Sequence, residues 1–238
     1  MTSDLLTGEH LLALAGVLLG ALAQAATGMG FSLLAAPVMV LHLGPRDGVA
    51  ATVVLAVLSS VVPLLRDGRH ARPGEVARLL VPALVCTPLA ALALRGVDTR
   101  WLALAAGAGV IIAVCVLASG VRWSRLRRPE GAVAVGAASA LLNVVGGVGG
   151  PPIGLYAANA GWQPATTRGN LHAFFILHNT ATALTLGIVL PGAPELAALA
   201  AGTASGMLLA PRLPVAALRS AVLGASLLGG VALTVGAL

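Results

Sequence analysis

The stretch NVVGGVGGPPIGLY, Asn143 to Tyr156, places four glycines and two prolines within seven positions of an otherwise apolar run. Both residue types are poor in a helix interior, so the segment predicts a broken helix. A helix that restarts after such a break presents unpaired N–H groups and roughly half a positive charge, which together suit an anion. Gly146, Gly147, Gly149 and Gly150 would let an ion approach the backbone. A proline in the first turn gives up a donor that has no helical acceptor anyway. Asn143, just before the break, can donate to an anion or satisfy orphan carbonyls. A second break, Thr27-Gly28-Met29-Gly30, follows another amide, Gln24. A third group lies in RGNLHAFFILHNTAT: at about 100° per residue, Arg168, His172, Asn179 and Thr182 fall within about 80° of one helix face. Arg168 would supply a cation and His172 a group that can titrate between about pH 5 and 8.

These residues lack the arrangements of catalysis. There is no HExxH, no GxSxG and no intramembrane acid pair, and Ser32, Ser59, Ser60 and Ser139 have no evident triad partners. Cys86 and Cys115 have no metal-ligand spacing and predict small core side chains. No catalytic residue, metal or cofactor is expected. No Walker motif is present either, so ATP-driven transport would need another chain.

The surroundings of the breaks are those of a membrane protein. Of 238 residues, 58% are hydrophobic and 9% charged, with a mean hydropathy of +0.97. A soluble surface needs about 25% charge. Apolar segments run over 10–27, 30–43, 48–65, 76–94, 101–119, 131–146, 151–161, 168–190, 196–210 and 215–237. Most approach the roughly 20 residues that cross a bilayer; 30–43 and 151–161 are short and predict half-helices or re-entrant pieces. The alternation of a membrane barrel is absent. The first ten residues hold Asp4 and Glu9 and no basic residue, so the first segment predicts a retained span rather than a cleaved signal.

The net charge of +6 is carried by arginine alone, clustered in RDGRHARPGEVAR (Arg66 to Arg78) and RWSRLRRPE (Arg122 to Glu130). Loops of that kind between apolar segments fit the positive-inside rule and not nucleic-acid binding. Both loops are then cytoplasmic, and both termini lie outside. Trp101, Trp123 and Trp162 fall near span ends, where interfacial anchoring is expected. Gly16-x-x-x-Gly20 and Gly202-x-x-x-Gly206 are helix-packing pairs, within one protomer or between two, which leaves a homodimer open.

A shift of 119 residues lays Gln24 on Asn143, Gly28 on Gly147, Gly30 on Gly149 and Pro45 on Pro164. Each half then holds five apolar pieces, and an odd number of crossings inverts the second copy. The expected fold is all-α: a polytopic helical membrane protein of two inverted repeats, 1–120 and 131–238, joined by a loop at 121–130, with broken helices at the repeat interface. Inverted repeats with matched breaks mark secondary transporters.

AQAATGMGFSLLAAPVMVLHLGP, followed half a chain later by GGVGGPPIGLYAANAGWQPATTRGNL, resembles the sulfite exporter TauE/SafE family. The likeness extends over nearly the whole chain, although Met29 and Phe31 stand where the second half has Val148 and Gly150. The resemblance implies transport of sulfite, thiosulfate or organosulfonates such as sulfoacetate across the bacterial inner membrane. The expectation is a secondary exporter working by alternating access, its site formed by Gln24, Thr27, Gly28, Gly30, Asn143, Gly146, Gly147, Gly149, Gly150, Arg168, His172 and Asn179. Its partners would be the small anion and membrane lipid. An anion channel or an importer is the alternative, and an intramembrane enzyme a distant one.

Overall fold

The computed structural model describes residues 8–120, 123–209 and 215–238. Asp4, Arg122 and part of the 121–130 connection lie outside the described residues. Ten α-helices and two short 3-10 turns are found among them, and no strand. The helices are α1 (Gly8–Thr27), α2 (Phe31–Leu43), α3 (Pro45–Asp67), α4 (Pro73–Leu94), α5 (Thr99–Ser119), α6 (Pro129–Gly146), α7 (Gly150–Ala160), α8 (Pro164–Leu186), α9 (Ala193–Leu209) and α10 (Val215–Gly236). Proline and glycine set many of these bounds. Helices α3, α4, α6 and α8 each begin on a proline, which fits the first turn because no acceptor there is left wanting. Asp98 starts α5 by accepting from the Arg100 N–H at 2.8 Å.

Helices α1, α3, α4, α5 and α6 are long and apolar enough to cross a membrane. α8 has the length, 23 residues, but carries Arg168, Asn170, His172, His178 and Asn179. By contrast α2, with 13 residues, and α7, with 11, rise only about 20 Å and 16 Å at 1.5 Å per residue. Neither can cross a hydrocarbon core of about 30 Å.

Contacts between helix ends define two faces of the bundle. At one, Arg66 at the end of α3 donates to Ala25 O near the end of α1 (3.1 Å) and Arg168 in the first turns of α8 meets Asp67 (2.9 Å). On that face, the Trp123 N–H donates to Asn159 at the end of α7 (2.7 Å). This end also carries the arginine-rich turns and forms the basic face of the bundle. At the opposite face, His10 of α1 meets His42 at the end of α2 (3.2 Å), Arg46 donates to Arg95 O (3.2 Å), and Arg100 donates to Ala237 O (2.9 Å). Arginine is fewer there and is accompanied by Asp47, Asp98 and Glu195.

The interior is packed mainly by small residues. Gly202 and Gly206 of α9 lie against Leu18 and Leu22 of α1, so these two helices run parallel in contact. Gly16 and Gly20 take α2 at Leu34 and Phe31. Both small-residue pairs therefore pack within the protomer. Close backbone approach of this kind replaces the hydrophobic effect where lipid is the solvent. Leucines that stay exposed, such as Leu65, Leu184 and Leu228, then face a medium as apolar as themselves.

Candidate functional site

Two short helices begin beside one another in the middle of the bundle. After α1, the chain turns at Gly28 (φ 89°) and Gly30 (φ 118°), a left-handed conformation that side chains other than hydrogen resist. It restarts as α2. After α6, Gly147 (φ 68°) makes the corresponding turn into α7.

Each restart is held by the amide before it. Gln24 Oε1 accepts from the Phe31 N–H (3.3 Å), and Gln24 Nε2 donates to Ser59 Oγ (2.8 Å) and Ser60 Oγ (2.7 Å) of α3. Both serines pass their protons to Ala56 O. In the second half, Asn143 Oδ1 accepts from the Gly149 N–H (3.2 Å). Its Nδ2 donates to Asn179 Oδ1 and Thr182 Oγ1 of α8, both at 2.9 Å. Ser139 Oγ adds a bond to Gly149 O at 2.6 Å. Gln24 and Asn143 are buried, and their donors are used within the protein. The amides thus serve as braces for the breaks.

A small cavity of about 20 Å³ lies between the two restarts, lined by Gln24, Gly30, Ser32, Asn143, Gly150 and Asn179, with Met29, Leu33 and Phe175. That volume suits about one water molecule. The N–H groups left without helical acceptors among its lining residues follow from helix geometry, since the first turn of a helix has no internal acceptors. In α2 these are the N–H groups of Ser32 and Leu33. In α7, Pro151 and Pro152 have no N–H, and only Gly150 offers one. Asn179 adds a third source. The Gly149 N–H fixes the Asn143 oxygen, which turns the Asn143 nitrogen to Asn179 Oδ1 and leaves the Asn179 NH2 as a donor. No charged side chain lines this cavity among the described residues.

A wider vestibule of about 510 Å³ opens between α1, α2, α5, α7, α8 and α10, with Thr27, Gly120, Gly161, Trp162 and Thr167 among its walls. Gly120, Gly161 and Thr167 belong to the basic face. Met29, Gly30 and Leu33 line both the vestibule and the central cavity.

The remaining expected site residues are arranged differently. Arg168 Nε meets Asp67 Oδ2 at 2.9 Å, and Arg66 reaches the same oxygen at 2.8 Å. The Asp67 side chain is 6% exposed and Arg168 27%. Arg168 therefore belongs to an ion cluster joining α3 to α8 at the basic face, and Gly28 packs against its backbone. His172, one turn deeper, is fully buried, and among the described residues neither ring nitrogen has a partner. Gly146 packs on Ala106, Gly147 on Thr52 and Ala36, and Gly149 on Asn143 and Ser139. Sequence reasoning passed over Asp67, Ser139, and Ser59 and Ser60 as the partners of Gln24. A signal existed for Ser60: the 119-residue shift lays it on Asn179, and each braces its amide across 36 residues.

The family model of the sulfite exporter TauE/SafE matches residues 12–233. The chain belongs to that family. The match takes in both breaks, the cavity and the ion cluster, and TauE/SafE proteins are membrane transporters for anions. No curated protein and no solved structure matches the chain.

Proposed function

We propose that this TauE/SafE protein is a secondary transporter that exports a small sulfur oxyanion, sulfite or a compact organosulfonate, across a bacterial inner membrane by alternating access. The central cavity between the starts of α2 and α7 is its binding site. The paired amide braces carry this reading. Gln24 with Ser60, and Asn143 with Asn179, hold two helix starts against one cavity in a pattern that repeats at the 119-residue shift. The bounds of α3 and α8 repeat at the same shift. Two inverted halves, 1–120 and 131–238, account for this, because α1 runs toward the basic face and α6 away from it. Recognition rests on uncharged donors: the Ser32, Leu33 and Gly150 N–H groups and the Asn179 amide.

Counterflow in proteoliposomes tests the reading. Vesicles preloaded with unlabelled sulfite should accumulate labelled sulfite transiently, and trials with thiosulfate, sulfoacetate and taurine then rank substrates. A channel gives no such overshoot, and its absence with every anion overturns the proposal.

The basic face is cytoplasmic on this reading, since arginine-rich turns remain inside. In a background with Cys86 and Cys115 replaced, Ala193→Cys should react with an impermeant thiol reagent in intact cells and Arg69→Cys should not. Labelling of Arg69→Cys reverses the orientation.

His172 is the proposed proton site. A buried ring without partners costs about 1–3 kcal/mol, which a group met only in another state of the cycle would offset. His172→Gln is expected to transport with a flatter pH profile between about pH 5.5 and 8.5. An unchanged profile assigns the proton elsewhere.

A further inference from the structure

We propose that Met29 is the gate between the basic-face vestibule and the central cavity, and that the reach of its side chain sets the size of anion admitted. The idea rests on the transport reading above for its purpose, but its geometry is independent of the substrate.

Met29 lines both spaces and packs against two separate apolar clusters, one around Ile153, Tyr156 and Phe175 and the other around Leu33, Val114 and Val148. Its thioether is seated over Gly154 of α7. A Cβ at that position would collide with Met29 Cε and lie 2.9 Å from Sδ. The glycine is therefore a notch shaped to this side chain. With Met29 in the notch, the space beyond holds about one water, too little for a sulfur oxyanion, so the wall between the two spaces must move, and of Met29, Gly30 and Leu33, which border both, the unbranched Met29 is the freest to do so.

The side chain and its backbone both suit that movement. Methionine is unbranched and rotates about three bonds. Met29 stands between Gly28 and Gly30, both at positive φ. Thr27 Oγ1 holds this strap locally, 2.7 Å from Met29 O and 3.3 Å from Met29 N, while among the described residues no longer-range hydrogen bond ties the Met29 backbone. The matching position in the second half is Val148, branched and wholly buried, and it lines neither the vestibule nor the central cavity. One break thus carries a movable side chain between two cavities, and the other a fixed one packed away from them.

Ser32 lines the central cavity and not the vestibule, so Ser32→Cys in the background without Cys86 and Cys115 reports on the gate. The probe is a methanethiosulfonate carrying an ethylsulfonate, applied to purified protein. With Met29 present, labelling should be slow. Met29→Ala should speed it at least about tenfold, and Gly154→Ala, which pushes Met29 from its seat, should act in the same direction. In counterflow with Ser32 restored, Met29→Ala should raise the rate of a larger organosulfonate relative to sulfite at least about threefold. Labelling at the unaltered rate in both variants overturns the gate. Faster labelling with no transport of any sulfur oxyanion retains the gate and overturns the substrate assignment instead.

Discussion

Asn179→Ser is expected to destabilise the protein by about 1–3 kcal/mol, and Asn143→Gln added to it should recover most of that loss. Buried polar groups left without partners cost this much, and the rescue follows from reach. In the first half a long amide, Gln24, meets a short side chain, Ser60, at 2.7 Å. In the second half a shorter amide, Asn143, meets a longer one, Asn179, at 2.9 Å. The sum of the two side chains is similar in both. Shortening Asn179 alone pulls the acceptor from Asn143 Nδ2, and lengthening Asn143 restores the contact in the form that the first half uses. Asn143→Leu offers no such repair. It strips partners from the Gly149 N–H and Asn179 Oδ1 together and should cost about 2–6 kcal/mol, about 1–3 kcal/mol for each group. Thermal unfolding in detergent measures all three. The rescued double variant also separates bracing from recognition, because it folds without the Asn179 amide donor. It should transport sulfite with an affinity at least about tenfold weaker. Wild-type affinity in that variant would remove Asn179 from the site.

The register behind this swap is legible in the sequence. The 119-residue shift aligned Gln24 with Asn143 and laid Ser60 under Asn179, and the proline–glycine punctuation placed both breaks within a few residues. What the pattern could not supply was direction. Glycines in a broken helix suit either an ion or a neighbouring backbone, and only packing decides between them. Gly147 and Gly149 face Thr52 and Asn143, while the free donors at the cavity belong to Ser32, Leu33 and Gly150. The two prolines that advertised the second break also removed two of its N–H groups and left that of Gly150. Apolar composition misled at helix ends. The run through Leu190 is apolar, yet Gly187 (φ 105°) ends α8 at Leu186. Conversely, α3 runs on to Asp67 through a stretch that reads as a charged loop. That extension hid the acid: beside Arg66, Arg69 and Arg72, Asp67 looks like one solvated charge among several, and its partner Arg168 is 101 residues away.

Asp67→Asn should therefore be more damaging than Arg168→Ala, although the arginine is the residue that the sequence puts forward. Asp67 is the shared acceptor of two guanidinium groups, with Arg66 at 2.8 Å and Arg168 at 2.9 Å. Removing one partner of a buried pair costs about 3–5 kcal/mol because the other charge is stranded. Here the arginines are 33% and 27% exposed and can turn toward water, so about 2 kcal/mol is the appropriate scale. Arg168→Ala leaves Asp67 its bond to Arg66 and should cost about 1 kcal/mol or less, as part-exposed pairs do. If the cluster ties α3 to α8 when the opposite face opens, losing it shifts the transport cycle as well as the fold. Asp67→Asn should then slow counterflow at least about tenfold, and Asp67→Leu with Arg168→Leu should restore stability without restoring rate. The comparison also decides what Arg168 does. Bound to Asp67, it ties α8 to α3 at the basic face, and Arg168→Ala leaves sulfite affinity within about twofold of wild type. An affinity at least tenfold weaker in a variant of unchanged stability would instead mean that the guanidinium leaves Asp67 for the anion during transport.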